Sequence, residues 1–143
     1  MVGGKNKIEL LYRDLTFKII GVLYDVFNEL GPGLRESTYE RAIAKDLKDV
    51  GFSFRRQLPY KVTYKGEIVG RYYFDFLVEG KVILELKQGD YFSRRNIHQL
   101  SEYLKATKLK LGILANFTST GVKYKRIVNI SKSVYPYLSV IRS

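Results

Sequence analysis

The run Val82-Ile83-Leu84-Glu85-Leu86-Lys87 is short, β-branched and apolar except at two alternate positions, where a carboxylate and an ammonium interrupt it. Such a run reads as a buried strand. An unpaired carboxylate inside it would cost several kcal/mol or take up a proton, so Glu85 needs a partner. Alternation sets Glu85, Lys87 and Ile83 on one face. A plain ion pair between Glu85 and Lys87 is one solution. A site that gathers further acids around a cation is another.

The stretch just upstream supplies a further acid. In Tyr72-Tyr73-Phe74-Asp75-Phe76-Leu77-Val78, alternation puts Asp75 with Tyr73 and Leu77 and turns Tyr72, Phe74 and Phe76 the other way. An Asp in mid-strand among aromatics runs against strand propensity. A charge guarding an edge strand is the ordinary explanation, but this strand has neighbours in sequence on both sides. Glu79-Gly80 turns the chain. If Val78 pairs with Val82 across that turn, Asp75 falls opposite Glu85, with Cβ atoms about 5 Å apart. Two like charges so placed repel. A divalent cation between them, Mg²⁺ or Mn²⁺, turns the repulsion into coordination by hard oxygen ligands. Lys87 beside them is suited to stabilise charge on a phosphorane-like transition state or to orient an attacking water. An ion pair of Glu85 and Lys87 alone would leave Asp75 without a reason.

Around these strands the periodicity is helical. Leu15, Ile19, Val22, Leu23, Val26, Phe27 and Leu30 recur every three or four positions, which predicts a helix over 14–30 stopped by Gly31-Pro32-Gly33. A second helix is expected from about Arg35 to Val50, with the stripe Tyr39, Ile43, Leu47 and Val50. Glu36 shares that face. A first-turn acid near the positive end of the helix dipole needs no other reason, and Glu40 one turn on could share the face at a small like-charge cost. Strands follow over 52–64, interrupted near Pro59, then 68–78 after the Lys65-Gly66 turn, then 81–87. Ser93 is placed to cap a helix over 94–107 with the stripe Ile97, Leu100, Tyr103 and Leu104. Strands at 109–117 and 124–130 come next, and 138–141 reads as a short final strand. No repeat, linker or low-complexity tract divides the chain, so residues 1–143 are expected to form a single domain of α/β (α+β mixed-sheet) class.

Composition narrows the chemistry. There is no Cys, which removes disulfides, iron–sulfur clusters and thiol nucleophiles. His98 is the only histidine, and no G-x-S-x-G elbow accompanies it. Gly31-Pro32-Gly33 lacks the Gly-Lys-Ser/Thr of a phosphate loop. Gln99, beside His98 on the third helix and four residues before Tyr103, is either a holder of water or phosphate or simply a boundary residue. The net charge is +11 and uneven. After Glu102 there is no acid, while Lys105, Lys108, Lys110, Lys123, Lys125, Arg126, Lys132 and Arg142 follow. A polyanion-facing side is the reading, with nucleic acid the leading partner; a lysine-rich surface kept for solubility is the plainer one. No apolar run reaches the roughly twenty residues that span a bilayer, and the N-terminus has no apolar signal core, so a cytoplasmic protein without a membrane partner is expected.

An Asp on one strand followed by Glu-x-Lys on the next resembles the PD-(D/E)XK nuclease superfamily, here Asp75 and Glu85-Leu86-Lys87 with Phe74 in place of the nominal Pro. Gly33-Leu34-Arg35-Glu36-Ser37-Thr38-Tyr39 is similar to the G-x-x-E-x-x-Y signature of the GxxExxY protein family, which is grouped with that superfamily. The resemblance runs from about Phe17 to about Phe117 and includes Gln99-x-x-x-Tyr103. It implies a restriction-endonuclease-like core: two N-terminal helices, a three-strand meander, a helix and further strands. It also implies Mg²⁺-dependent phosphodiester hydrolysis, with Glu36, Asp75 and Glu85 at the metal, Lys87 as catalytic lysine and Gln99 as an accessory polar group. DNA is the expected substrate. A catalytically idle nucleic-acid-binding protein of the same fold and a protein-interaction module with a Tyr-rich surface are the rivals. A homodimer would suit double-strand cutting, although no heptad marks an interface.

Overall fold

The structure, a computed structural model, describes residues 12–129. The expected strand at 138–141, and Lys132 and Arg142, lie outside the described residues. Helix α1 (Arg13–Leu30) buries Thr16, Ile19, Val22, Leu23 and Val26 along one stripe. It ends where Gly31 takes φ 78°, its N–H bonded to the Phe27 carbonyl at 2.8 Å. A left-handed residue here is what glycine makes inexpensive. Helix α2 (Glu36–Asp49) buries Tyr39, Ile43 and Leu47. The Tyr39 hydroxyl donates to the Gly31 carbonyl at 2.6 Å and accepts from the Leu34 N–H at 3.2 Å, fixing the α1–α2 corner.

Five strands follow: β1 (Phe54–Tyr64), β2 (Glu67–Val78), β3 (Val82–Gln88), then, after helix α3 (Arg94–Thr107), β4 (Leu111–Phe117) and β5 (Val122–Val128). The sheet order is β1-β2-β3-β4-β5. Only β3 and β4, joined through α3, run parallel; the other pairs are antiparallel. Both hairpin turns fall where expected. Lys65-Gly66 and Glu79-Gly80 all have positive φ, the geometry that matches strand twist. The strained Glu79 is held by its carboxylate, which accepts from the Ser53 N–H at 2.6 Å and hydroxyl at 2.8 Å.

The sheet is covered on both faces. α1 and α2 pack over Phe76, Val78, Val82, Leu84, Leu86, Leu111 and Ile113. On the other face α3 brings Leu100, Tyr103 and Leu104 against Leu58, Phe74, Ile83, Leu114 and Ile127. The Ser93 cap of α3 forms as expected, accepting from the N–H groups of Arg95 and Asn96 at 3.1 and 3.3 Å.

Two expectations need correcting. Pro59 does not interrupt β1: it pairs with Tyr73, on an edge strand where a missing N–H breaks no inner ladder. Phe74 and Phe76 do not share a face, because Phe74 lies in the α3 layer and Phe76 in the α1–α2 layer. Strict alternation fails at Asp75. The pairing of β1 with β2 skips Gln57 and Asp75, and Gln57 has φ 54°. A left-handed residue at that point turns the ribbon, so Tyr72 faces the α3 side with Phe74.

Gly112 of β4 meets α3 at close quarters: a Cβ there would come within 2.9 Å of both Leu100 Cδ atoms and 3.0 Å of its Cγ. Leu100 is fully buried and has nowhere to retreat. Gly112→Ala should therefore destabilise the fold by about 1–3 kcal/mol through overpacking, read as a lower urea midpoint at unchanged slope.

Candidate active site

Strands β2 and β3 pair at Val78↔Val82, Leu77↔Ile83 and Phe76↔Leu84, and there the ladder stops. The register is the one that aims Asp75 at Glu85. Beyond Phe76 and Leu84 side chains replace backbone partners. The Asp75 N–H donates to Glu85 Oε1 at 3.1 Å, and the Leu86 N–H donates to Asp75 Oδ2 at 2.7 Å. Each acid thus serves an amide of the opposite strand. Glu85 is 2% exposed, so the expectation of a buried carboxylate in β3 holds.

The other Glu85 oxygen, Oε2, accepts a hydrogen bond from the Tyr72 hydroxyl and has Lys87 Nζ at 3.8 Å. The ammonium lies over the Tyr72 ring, 5.5 Å from its centre. Strict alternation aims Tyr72 away from Asp75, and only the turn of the ribbon at Gln57 brings it round to the site. Glu36 is exposed and does not lie in the core stripe. Its Oε2 accepts from the Gln88 N–H at 3.1 Å, which ties the start of α2 to the end of β3. Glu40 accepts from Arg56 at 3.0 Å and Gln57 at 2.8 Å, at the kink.

The Gln99 side chain, half-buried on α3, makes no hydrogen bond to another described residue, the acid pair included. His98 is exposed beside it, with Glu102 at 4.0 Å. Asn116, which the sequence did not single out, stands opposite Lys87 in the β3–β4 register. Its amide clamps the loop after β3 through the carbonyls of Gly89 and Tyr91, at 3.3 and 2.8 Å, while its buried Oδ1 has no hydrogen-bond partner among the described residues. The register continues Lys87↔Asn116↔Lys123 and Glu85↔Leu114↔Lys125, so two lysines of β5 stand in the same cross-strand rows as the site.

Burial, then the adjacent Glu85 carboxylate, push the Asp75 carboxyl up to about 9. Burial and the bond to Glu85 raise the Tyr72 phenol as well, which keeps it a donor. The two carboxylates crowd one space, and the cost of ionising there falls on Asp75. A hard divalent cation fits that donor set, since it stabilises both ionised forms. Among the described residues no three acids or histidines come together as a complete protein ligand set. Mg²⁺ does not require one, because it is commonly held by one or two carboxylates with water and substrate oxygens completing the octahedron.

The PD-(D/E)XK nuclease superfamily model matches residues 13–127. No curated protein matches the chain. A solved chain described as the crystal structure of SSO0001 superposes with a TM-score of 0.52 at 15% identity, covering 95% of this chain and 68% of that one. At that identity the likeness is one of fold. The chain belongs to the PD-(D/E)XK nuclease superfamily, and its five-stranded mixed sheet between helices is the restriction-endonuclease-like architecture.

A raised carboxyl pKa means that the folded protein holds a proton which the unfolded chain releases. The stabilisation this gives is complete below the ordinary value of 3.8 and is lost as pH climbs toward about 9. Without divalent metal, thermal stability should fall between pH 5 and pH 9, roughly, and Asp75→Asn should flatten that fall. At about pH 8 the variant should be the more stable protein by at least ~1 kcal/mol, near one pKa unit's worth. Thermal melts in chelator across this range test it; parallel curves for the two proteins would contradict the assignment.

Proposed function

We propose that this member of the PD-(D/E)XK superfamily is a metal-dependent nuclease that hydrolyses phosphodiester bonds in DNA. The observation that carries the reading is the meeting of Asp75, Glu85 and Lys87 at the point where β2 and β3 part. Asp75 and Glu85 would hold Mg²⁺ or Mn²⁺, with Glu36 supporting the site from the start of α2. The bound cation would supply Lewis acidity, lowering the pKa of a water and offsetting charge on the phosphate.

The protein's own groups do the rest. Lys87, with its side chain 26% exposed, has its ammonium open to a phosphate oxygen while Glu85 and the Tyr72 ring restrain it. Positive charge held in place, where the reaction concentrates negative charge, lowers the barrier without reorganisation. Tyr72 keeps Glu85 oriented by donating to Oε2. Lys123 and Lys125, both exposed, extend the positive row toward the sheet edge and supply backbone contacts for a polyanion. Gln99 is kept as an accessory polar group that engages only bound substrate. Within the superfamily we assign the chain to the GxxExxY group, a reading that the Gly33–Tyr39 stretch supports: Tyr39 locks the α1–α2 corner and so sets where Glu36 begins the helix. We take residues 1–143 as one domain working in the cytoplasm. Among the described residues no helix is long and apolar enough to cross a membrane.

Two measurements test the assignment. Lys87→Ala should lower the rate of Mg²⁺-dependent DNA cleavage by about 10²–10³-fold, the scale for losing one preorganised charge, without moving the melting temperature by more than a few degrees. Cleavage at the parent rate would remove Lys87 from the chemistry. Calorimetric titration of Mn²⁺ should give a binding heat with the parent protein and none with Glu85→Gln; equal heats would place the metal elsewhere.

A further inference from the structure

The site sits at the root of a two-stranded ribbon whose base, Tyr60 and Tyr72, packs on the α3 layer and whose tip reaches beyond it. Pairing of β1 with β2 continues past the last buried pair, Leu58↔Phe74, through Pro59↔Tyr73 to Tyr64↔Glu67. Pairing of β2 with β3 covers only Phe76–Val78, and β1 is the sheet edge. Residues 59–73 therefore form a two-stranded arm with neither edge paired to another strand among the described residues. Six residues a strand make it roughly 20 Å long. Every residue from Lys61 to Val69 is exposed, as are Arg71 and Tyr73.

Its side chains are not those of an idle hairpin. Lys61 and Arg71 are direct cross-strand partners, on the face shared by Pro59 and Tyr73. Like charges so placed repel and weaken a hairpin, and the only acid on the arm, Glu67, pairs with Tyr64 near the turn. Lys65 Nζ lies 5.3 Å from the Tyr64 ring centre. Tyr64 and Val69 are 62% and 60% exposed, and Ile68 and Tyr73 about half. A second copy of the chain, added by strand pairing, is opposed by Pro59 and Lys61 on the open edge and by the bulge at Val62/Thr63. A polyanion relieves the cation pair and accepts the apolar tip.

We propose that the β1–β2 arm enters the groove of duplex DNA, Lys61, Lys65 and Arg71 binding phosphates on the groove walls and the tip residues contacting base edges. This rests on the nuclease reading for its choice of nucleic acid. The major groove of B-form DNA, about 12 Å wide, admits a two-stranded ribbon, whereas the A-form groove of double-stranded RNA is too narrow. Tyr72 at the root of the arm bonds Glu85, so a duplex gripped by the arm is delivered to the acid pair.

The test uses the full chain carrying Lys87→Ala, so that substrate is not consumed, with and without Lys61→Ala/Lys65→Ala/Arg71→Ala. Fluorescence anisotropy with a labelled duplex of about 20 base pairs, read across about 50–200 mM salt, is expected to show at least a ten-fold loss of affinity in the triple variant. The salt dependence should become shallower by about 2–3 in log–log slope, near 0.9 for each phosphate that the arm no longer neutralises. Melting temperatures should agree, since all three substituted side chains are exposed. Unchanged affinity and slope overturn the arm's role. So does equal arm-dependent binding of double-stranded RNA, or sedimentation showing a parent dimer that the triple variant dissolves. A protein that binds DNA through the arm but never cuts it, with Lys87 restored, sinks the nuclease reading and keeps this one. A Lys87→Ala parent with no duplex affinity at the lowest salt sinks this one, whatever the metal titrations give.

Discussion

Where β2 and β3 stop pairing, two amides in the middle of the sheet lose their natural acceptors, and the carboxylates of Asp75 and Glu85 take over that duty. Each buried amide left alone would cost about 1–3 kcal/mol. The acids are thereby fixed in place by the backbone they satisfy, each reaching across to the other's strand. This arrangement explains how two like charges are kept close in a protein that is strongly basic elsewhere. Their positions are set by backbone geometry, and their mutual repulsion is the residual cost that a proton or a cation removes.

The parting of the strands has its own cause one strand further out. Gln57, left-handed at φ 54°, lies opposite Asp75, and the pairing of β1 with β2 skips both. Glu40 of α2 holds this kink by accepting from Arg56 and Gln57, while Arg56 lies over the Phe76 ring with its centre 5.6 Å away. Strain of this kind persists only where neighbours over-determine it. Its consequences run both ways along the ribbon. Toward the turn after β2, Phe76 and Val78 enter the layer under α1 and α2. Toward the tip, Phe74 and Tyr72 enter the α3 layer, their tilted rings 4.8 Å apart and Tyr103 4.5 Å from Phe74. One backbone irregularity thus aims Tyr72 at Glu85 and also releases the arm from the sheet.

Helix α2 contributes at three points. Tyr39 closes the corner after α1, Glu36 anchors the end of β3, and Glu40 holds the kink, so one helix fixes both margins of the acid pair. On the far side of the site, the parallel pairing of β3 with β4 carries the register from Lys87 through Asn116 to Lys123. Asn116 also restrains the loop between β3 and α3, and Ser119 donates to Asp90 of that loop through its N–H and hydroxyl at 2.9 and 3.1 Å. The backbone at the mouth of the site is braced by these hydrogen bonds, while the Lys87 ammonium is held by Glu85 and the Tyr72 ring.

Local pattern alone settled the helices, the two hairpin turns, the Ser93 cap and the strand that buries Glu85, because each depends on residues within a few positions of one another. The same is true of the Val78–Val82 register, which a short turn dictates and from which the pairing of Asp75 with Glu85 could be read. Tyr72, Asn116 and the bond from Gln88 to Glu36 could not be read, since they depend on which strands adjoin and on a twist that alternation assumes away. Gln99 shows the reverse: a polar residue at suggestive spacing whose side chain makes no hydrogen bond to the acids or to any other described residue. Sequence determined which residues carry charge into the core. Only the tertiary structure decided what surrounds the Asp75–Glu85 pair, because a single left-handed residue on a neighbouring strand changes the face that every residue beyond it presents.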